Sequence, residues 1–514
     1  MRIYSFKFLK ISCLTILVFL SVFCIFSFLL EATPFLFLKY DNDPTDGDML
    51  GVVNRLKNNL PIYGDWKKGN LYSLYPPVFF YFVYYFNFFF INPLIFGRIS
   101  SLFFIFFTIG IIFLIIFKLK QKENPLFVSV LFSGITLALP FFNMSYLAIR
   151  SDSLMLFFYF LGLYFLIFKN HKQYMVAFFC VCCVLSKQQG ASLLIGSTIF
   201  YFLKDLKSAI KFILYFLIIF FLIIIPLEFN NSWNVVKTLF FYPFFAFSGK
   251  FLKLEHSFSL FREVYSNLWF KFFSLSAVVG VFSLWKTKYK PVIVCYLLDF
   301  FLVVYTSRNE GGGVSYLWPH IFLTIILGGE AFYYIFPSLS SFFTAINNKR
   351  RIIFLKMTYI FLFSFCFFLL VRTFYKRIIP LMVTVKHTFR NIEYLNKSGD
   401  NFVETIKKLE YKDAGKWFSE RLSAPLASIG VVGNGEACTL EYVIASGKIF
   451  NISDFSKILC SGSIKYVQSS DLSSLLQLNK ILPTCFSPIF EGEIPDRGNL
   501  RKVIIWKIDK SLTL

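Results

Sequence analysis

The chain has 514 residues, 57% of them hydrophobic and only 16% charged, with 52 Lys and Arg against 29 Asp and Glu for a net charge of +23. That apolar content exceeds what a soluble core of this size uses and points to several membrane spans. The positive charge falls mostly in short runs between apolar segments, which is the pattern of a topology signal and argues against nucleic acid as a partner.

The first apolar segment, Ile11–Leu30, carries no charge and follows Arg2, Lys7 and Lys10. It is longer than a signal-peptide core, so it reads as an uncleaved span with the N-terminus in the cytoplasm. Further apolar segments run roughly over Ile99–Phe117, Pro125–Pro140, Ser153–Phe168, Tyr174–Ser186, Ala191–Leu203, Phe212–Leu227, Phe272–Trp285, Val292–Ser307, Val314–Ile335 and Ile352–Val371. The basic runs at Lys118–Lys122, Lys169–Lys172, Lys204–Lys211, Lys286–Lys290 and Asn347–Arg351 share the side of the N-terminus when these segments make eleven spans in all. Val78–Phe90, only 13 residues long and closed by Asn92-Pro93, is too short to cross and is read as lying on the outer surface. Ala331–Ile346, broken by Pro337, is read as interfacial too.

From about Phe374 the character changes. Ala427–Val432, Lys448–Ile452, Ile464–Val467 and Val503–Ile508 read as strands, with helices from Gly433-Asn434-Gly435 to about Ala445 and over Ser453–Leu459. The Gly-Asn-Gly lacks the third glycine of a dinucleotide fingerprint and reads as a turn. The expected fold is an all-α polytopic membrane protein over 1–371, with interfacial helices in its first outer loop, followed by a small C-terminal α/β domain over 372–514 on the outer face. Seven cysteines in apolar segments read as small hydrophobes. Of Cys438, Cys460 and Cys485 in the polar part, two can form a bridge.

This topology gathers the polar, glycine-bearing loops outside. The stretch Lys39–Arg98 holds Asp41, Asp43, Asp46, Asp48 and Asp65. Carboxylates at the rim of a membrane bundle are candidates for a general base. Asp46 and Asp48, beside Pro44 and Gly47, also read as solvated turn residues. Arg150 and Asp152 open a span, either as a rim ion pair or as site groups. Lys187 stands alone between two apolar segments, where an ammonium either snorkels or needs an anionic partner. Arg308 precedes three glycines that let a ligand approach the backbone. Glu255 and His256, with Arg262, lie in the long Glu228–Lys271 loop, where no second His stands at metal-ligand spacing. Asp299 falls inside a span, lining a cavity or pairing with a neighbouring helix.

An acid after the first span, then Pro61-Ile62-Tyr63-Gly64-Asp65, then Tyr75-Pro76-Pro77, then Gly97-Arg98 opening the second span, resembles the C-type glycosyltransferases. These are the polytopic enzymes that use polyprenyl-phosphate sugars, including the protein mannosyltransferases and the lipid A aminoarabinose transferases. The segments IRSDSLMLFF at 149–158, LSKQQG at 185–190 and GGGVSYLWP at 311–319 match in order, so the resemblance covers roughly residues 1–370. It implies transfer of a sugar from a polyprenyl-phosphate donor to a hydroxyl of a glycolipid, lipopolysaccharide or protein acceptor on the outer face. Position makes Asp46 the expected base, with Asp48 the second choice or an orienting or metal-linked carboxylate. Thr45-Asp46 stands where many members have Asp-Glu. Lys187, Arg150 and Arg308 are expected at the donor phosphate, with Asp152, Tyr75, Glu255 and His256 in support. No cofactor is certain; a divalent metal ion would suit the charge growing on the leaving phosphate. The expected location is a bacterial inner membrane, with the C-terminus in the periplasm. Two rival classes remain: a lipid-linked sugar flippase or transporter, which calls for paired charges inside spans and internal repeats, and a glycan polymerase or ligase with its key residues in the long late loop.

Overall fold

The computed structural model describes residues 32–39, 44–64, 75–87, 93–119, 150–241, 254–308 and 314–330 almost throughout, scattered positions from 15 to 30, and in the last third parts of 364–404 and 460–470 together with 417–419, 478–496 and 499–509.

The acid-rich loop opens as a helix, α1 (Pro44–Lys57), not as the solvated turn its Asp and Gly content allowed. Pro at the first helical position and Asp46 in the first turn are favourable there, and Arg55 and Lys57 in the last turn suit the opposite end of the helix dipole. Met49, Val52 and Val53 recur at helical spacing and are all buried. Arg55 closes the helix by donating from Nε to the Pro61 carbonyl at 2.8 Å. The short helix α2 (Val78–Phe86) follows. At nine residues it spans about 14 Å, too short to cross a bilayer.

The bundle comprises α3 (Pro93–Leu119), α4 (Ser151–Phe168), α5 (Gln173–Val184), α6 (Ala191–Lys204), α7 (Leu206–Asn230), α8 (Leu254–Ser266), α9 (Leu268–Trp285), α10 (Lys290–Thr306) and α11 (318–330). Three of these, α3, α4 and α7, are long and apolar enough to cross a membrane. Helix α4 is central, with 67% of its apolar window buried, whereas α7 buries 11% and turns its aliphatic surface outward. The core runs through Ile112, Tyr159, Leu163, Phe212, Cys295 and Ile325. Helices α5 and α6, expected as full spans, have 12 and 14 residues and reach only about 18–21 Å each. The polar turn between them is therefore set into the protein: Leu185, Ser186, Lys187 and Gly190 are all buried.

The helix ends sort by chemistry. At one end lie α1, α2 and the starts of α3 and α4. At the other, Lys118 bonds the Tyr164 hydroxyl, Tyr201 donates to the Asn170 carbonyl at 2.9 Å, and Phe168 meets Tyr289. There Lys169, Lys172, Lys204, Lys211 and Lys290 are exposed. These lysines come from basic runs at 169–172, 204–211 and 286–290.

In the last third, β1 (Trp417–Ser419), β2 (Tyr466–Ser470), β3 (Phe486–Asp496) and β4 (Asn499–Ile508) form one sheet in the order β1-β2-β4-β3. Strands β1 and β2 are parallel; the other pairs are antiparallel. Strands β2 and β4 overlap expected strands. Strand β3 was hidden by Pro488 and Pro495, which its edge position tolerates. Helix α12 (Leu478–Cys485) precedes β3, and Cys460 is bridged to Cys485. Val403, Tyr466, Val503 and Ile505 join the same apolar cluster as Met49, Ile62 and Phe79. The expected elements at Pro125–Pro140, Ala331–Ile346, Ala427–Val432, 433–445, Lys448–Ile452 and Ser453–Leu459, and nearly all of Ile352–Val371, lie outside the described residues.

Candidate functional site

The N-terminal turns of α3 organise the charged groups at the α1 end. Arg98, fully buried, directs Nη2 and Nε at Asp46 Oδ2, at 2.7 and 3.3 Å. Its Nη1 donates to the carbonyls of Phe35, at 3.3 Å, and Leu38. Asp46 is therefore not a solvated loop acid: both partners of the pair are 0% exposed. Asp48 follows two residues on, about 200° around the helix from Asp46, and is 7% exposed. The two aspartates thus leave α1 on different faces.

One turn after Arg98, Ser101 accepts the Arg150 backbone N–H at 3.2 Å, and the Arg150 carbonyl accepts from Ser153. Arg150 is the extended residue before α4, which places Asp152 in the first turn of that helix. Asp152 pairs with Lys187 at 2.5 Å rather than with its neighbour Arg150. Lys187 thus carries a protein carboxylate as an anionic partner. The Lys187 ammonium also lies over the Tyr316 ring, 4.9 Å from its centre. Burial pushes the Lys187 ammonium below the ordinary lysine range; Asp152 opposes that shift and Arg150 adds to it. Arg150 and Lys187 are close enough to act on each other electrostatically, with Asp152 paired to Lys187.

Backbone contacts fix the Lys187 turn. The Ser186 and Lys187 N–H groups both donate to the Cys183 carbonyl, and Gly190 donates to the Lys187 carbonyl at 2.9 Å. A Cβ at Gly190 would stand 2.6 Å from the Cys183 carbonyl, so only glycine fits this approach. The Leu185 carbonyl in turn accepts the Val78 N–H at 3.0 Å, tying α2 to the turn.

The Pro-Ile-Tyr stretch is a bolt. Asn231 Oδ1 accepts from the Ile62 and Tyr63 N–H groups at 2.8 and 3.1 Å, and the Tyr63 hydroxyl donates to the Tyr75 carbonyl. Tyr75, half-buried, is thereby held through its backbone. Glu255 and His256 sit in the first turn of α8, Glu255 exposed and His256 half-buried. The next residue, Ser257, accepts a hydrogen bond from Ser307, so this turn lies beside Arg308. Arg308 Nε is buried with no hydrogen-bond partner. Among the described residues, no hydrogen bond or ion pair joins Glu255 or Arg308 to the two buried pairs. Asp299 is buried in α10 with Oδ2 unpartnered, beside Tyr159 of α4.

Among the described residues, no cluster of three His, Cys, Asp or Glu side chains is placed to hold a metal ion. Two carboxylates that such an ion would recruit, Asp46 and Asp152, already carry cationic partners. Among the described residues, the donor set does not fit a metal ion. Arg98 and Tyr316 had no assigned role in the sequence. The Gly-Arg opening α3 was a signal for Arg98, but its partner lies 52 residues away.

No family model and no curated protein sequence matches the chain. Solved structures do. ArnT from Cupriavidus metallidurans bound to undecaprenyl phosphate aligns at TM-score 0.56 and 12% identity, over 96% of this chain and 98% of that one. The same protein in the apo state aligns at 0.52 and 14%, over the same shares. The archaeal oligosaccharyltransferase AglB from Archaeoglobus fulgidus, in complex with an inhibitory peptide and a dolichol-phosphate, aligns at 0.50 and 11%, over 94% of this chain and 73% of that one. The chain has the fold of these C-type membrane glycosyltransferases.

Proposed function

We propose that the chain is an inverting membrane glycosyltransferase that moves a sugar from a polyprenyl-phosphate donor to a hydroxyl on a glycolipid, lipopolysaccharide or protein acceptor. In this reading eleven spans place α1 and the site on the outer face of a bacterial inner membrane, with residues 372–514 as an outer-face domain. The observation that carries it is the linked arrangement at the start of α3, where Arg98 and Ser101 tie a first-loop acid to the Arg150–Asp152–Lys187 group. Both neighbouring folds were solved with a polyprenyl-type phosphate, undecaprenyl phosphate in ArnT and dolichol-phosphate in AglB.

Asp48 is the base in this reading, ahead of Asp46. A carboxylate that must accept a proton in the reaction is poorly served by a buried pairing with an always-charged guanidinium. Asp48 takes the acceptor proton as the acceptor oxygen attacks C1 of the sugar. The C1–O bond breaks with its electron pair staying on the phosphate. Lys187 and Arg150 offset the charge that develops on that leaving group, with Arg308 as a further cation. Glu255 and His256, in the first turn of α8, and Tyr75 are supporting residues in this reading. Both buried pairs lie at helix ends rather than at helix midpoints, which favours a transferase over a transporter. The test is release of free polyprenyl phosphate by the purified protein in lipid, given a panel of polyprenyl-phosphate sugars and a glycolipid extract. Donor binding without release under any acceptor would overturn the reading.

A further inference from the structure

We infer that Arg98 is a positioning residue whose fork of hydrogen bonds sets the direction of Asp48, an assignment that rests on the transferase reading for its catalytic meaning. Arg98 joins three segments. The Phe35 and Leu38 carbonyls, at the end of the first helical segment, accept from Nη1, and Asp46, in the first turn of α1, accepts from Nε and Nη2. Arg98 itself belongs to α3. A helix C-terminus leaves carbonyls unsatisfied and favours a cation, while a helix N-terminus favours an acid. One guanidinium meets the first need directly and the second through Asp46.

The far end of α1 is pinned separately, by Arg55 to Pro61 and by Asn231 to Ile62 and Tyr63. With both ends tied, the side of α1 on which Asp48 emerges is set. Packing alone does not explain a charged pair here. Two buried charges cost more to desolvate than apolar groups of the same volume, so apolar side chains would hold the helix at least as firmly. What the fork adds is direction: planar donors at fixed angles that an ammonium cannot reproduce.

The experiment compares the full chain in lipid nanodiscs with Arg98→Lys and with the double variant Asp46→Leu/Arg98→Met. It reads polyprenyl phosphate release, the donor KM, the thermal transition, and deuterium uptake by residue segment. Arg98→Lys is expected to lower kcat about 100-fold, the scale of a displacement near 1 Å, with the donor KM unchanged. Deuterium uptake should rise over 44–57 and not over 151–204. The double variant should keep the wild-type thermal transition while kcat stays low. Wild-type kcat in either variant overturns the inference, as does a loss of kcat accompanied by raised exchange throughout the bundle. Should the wild type release no polyprenyl phosphate, the transferase reading falls by itself. The exchange data then decide the clamp: unchanged uptake at 44–57 in Arg98→Lys overturns it, and a local rise upholds it.

Discussion

The two ends of the bundle carry charge in opposite ways. At the α1 end Asp46, Arg98, Asp152 and Lys187 are buried and paired with one another. At the other end Lys169, Lys172, Lys204 and Lys211 are exposed, and Asp205 caps α7 in open solvent by accepting from Ser208. Buried pairs cost desolvation energy and exposed ones cost almost none, so the α1 end keeps its charges for a reason other than stability. The exposed end needs no such reason, because topology and solubility account for it. In the transferase reading, this contrast puts the chemistry at the α1 end.

The largest effects should follow from breaking one partner of a buried pair. Arg98→Met leaves Asp46 uncompensated, and Lys187→Met does the same to Asp152. Each should lower unfolding stability by about 3–5 kcal/mol, read by denaturant titration in mild detergent. A change under about 1 kcal/mol would mean water reaches these groups and would erase the contrast. Next comes Gly190→Ala. Its Cβ would meet the Cys183 carbonyl, so the Lys187 turn must shift, with an expected loss of about 1–3 kcal/mol. Neutral behaviour there would show that the turn is not set by this approach.

A smaller effect sharpens the comparison through pH. An anion is held by the charged form of Lys187, which prevails below its pKa. Burial lowers that pKa, so donor binding should weaken as pH rises, beginning below the ordinary lysine value of 10.5. Arg stays charged over the whole range, so Lys187→Arg should remove this alkaline loss. A loss that persists in Lys187→Arg would assign it to another group. The smallest effect belongs to the opposite end: Lys169→Gln and Lys172→Gln should each stay within about 0.5 kcal/mol of wild type, with activity retained.

Much of this arrangement was legible before any coordinates. The alternating basic runs gave the helix order, because charge flanking an apolar segment is local information. The cost of a lone Lys187 was legible for the same reason. Its partner was not, since Asp152 lies 35 residues earlier and meets it only through packing of α4 on α5. Asp46 and Asp48 were indistinguishable as loop acids. They separate once α1 is a helix, because a step of two residues reverses the face. Apolar composition also concealed how short α5 and α6 are, and that shortness recesses the Lys187 turn.

The central claim is that Asp48, and not the clamped Asp46, accepts the acceptor proton. The direct measurement is single-turnover release of polyprenyl phosphate by Asp48→Asn with donor saturating and acceptor present. The account predicts donor binding as in wild type with release slowed by about 10²–10⁴-fold, the worth of a general base. Release at the wild-type rate by Asp48→Asn would contradict it and return the role of base to another carboxylate.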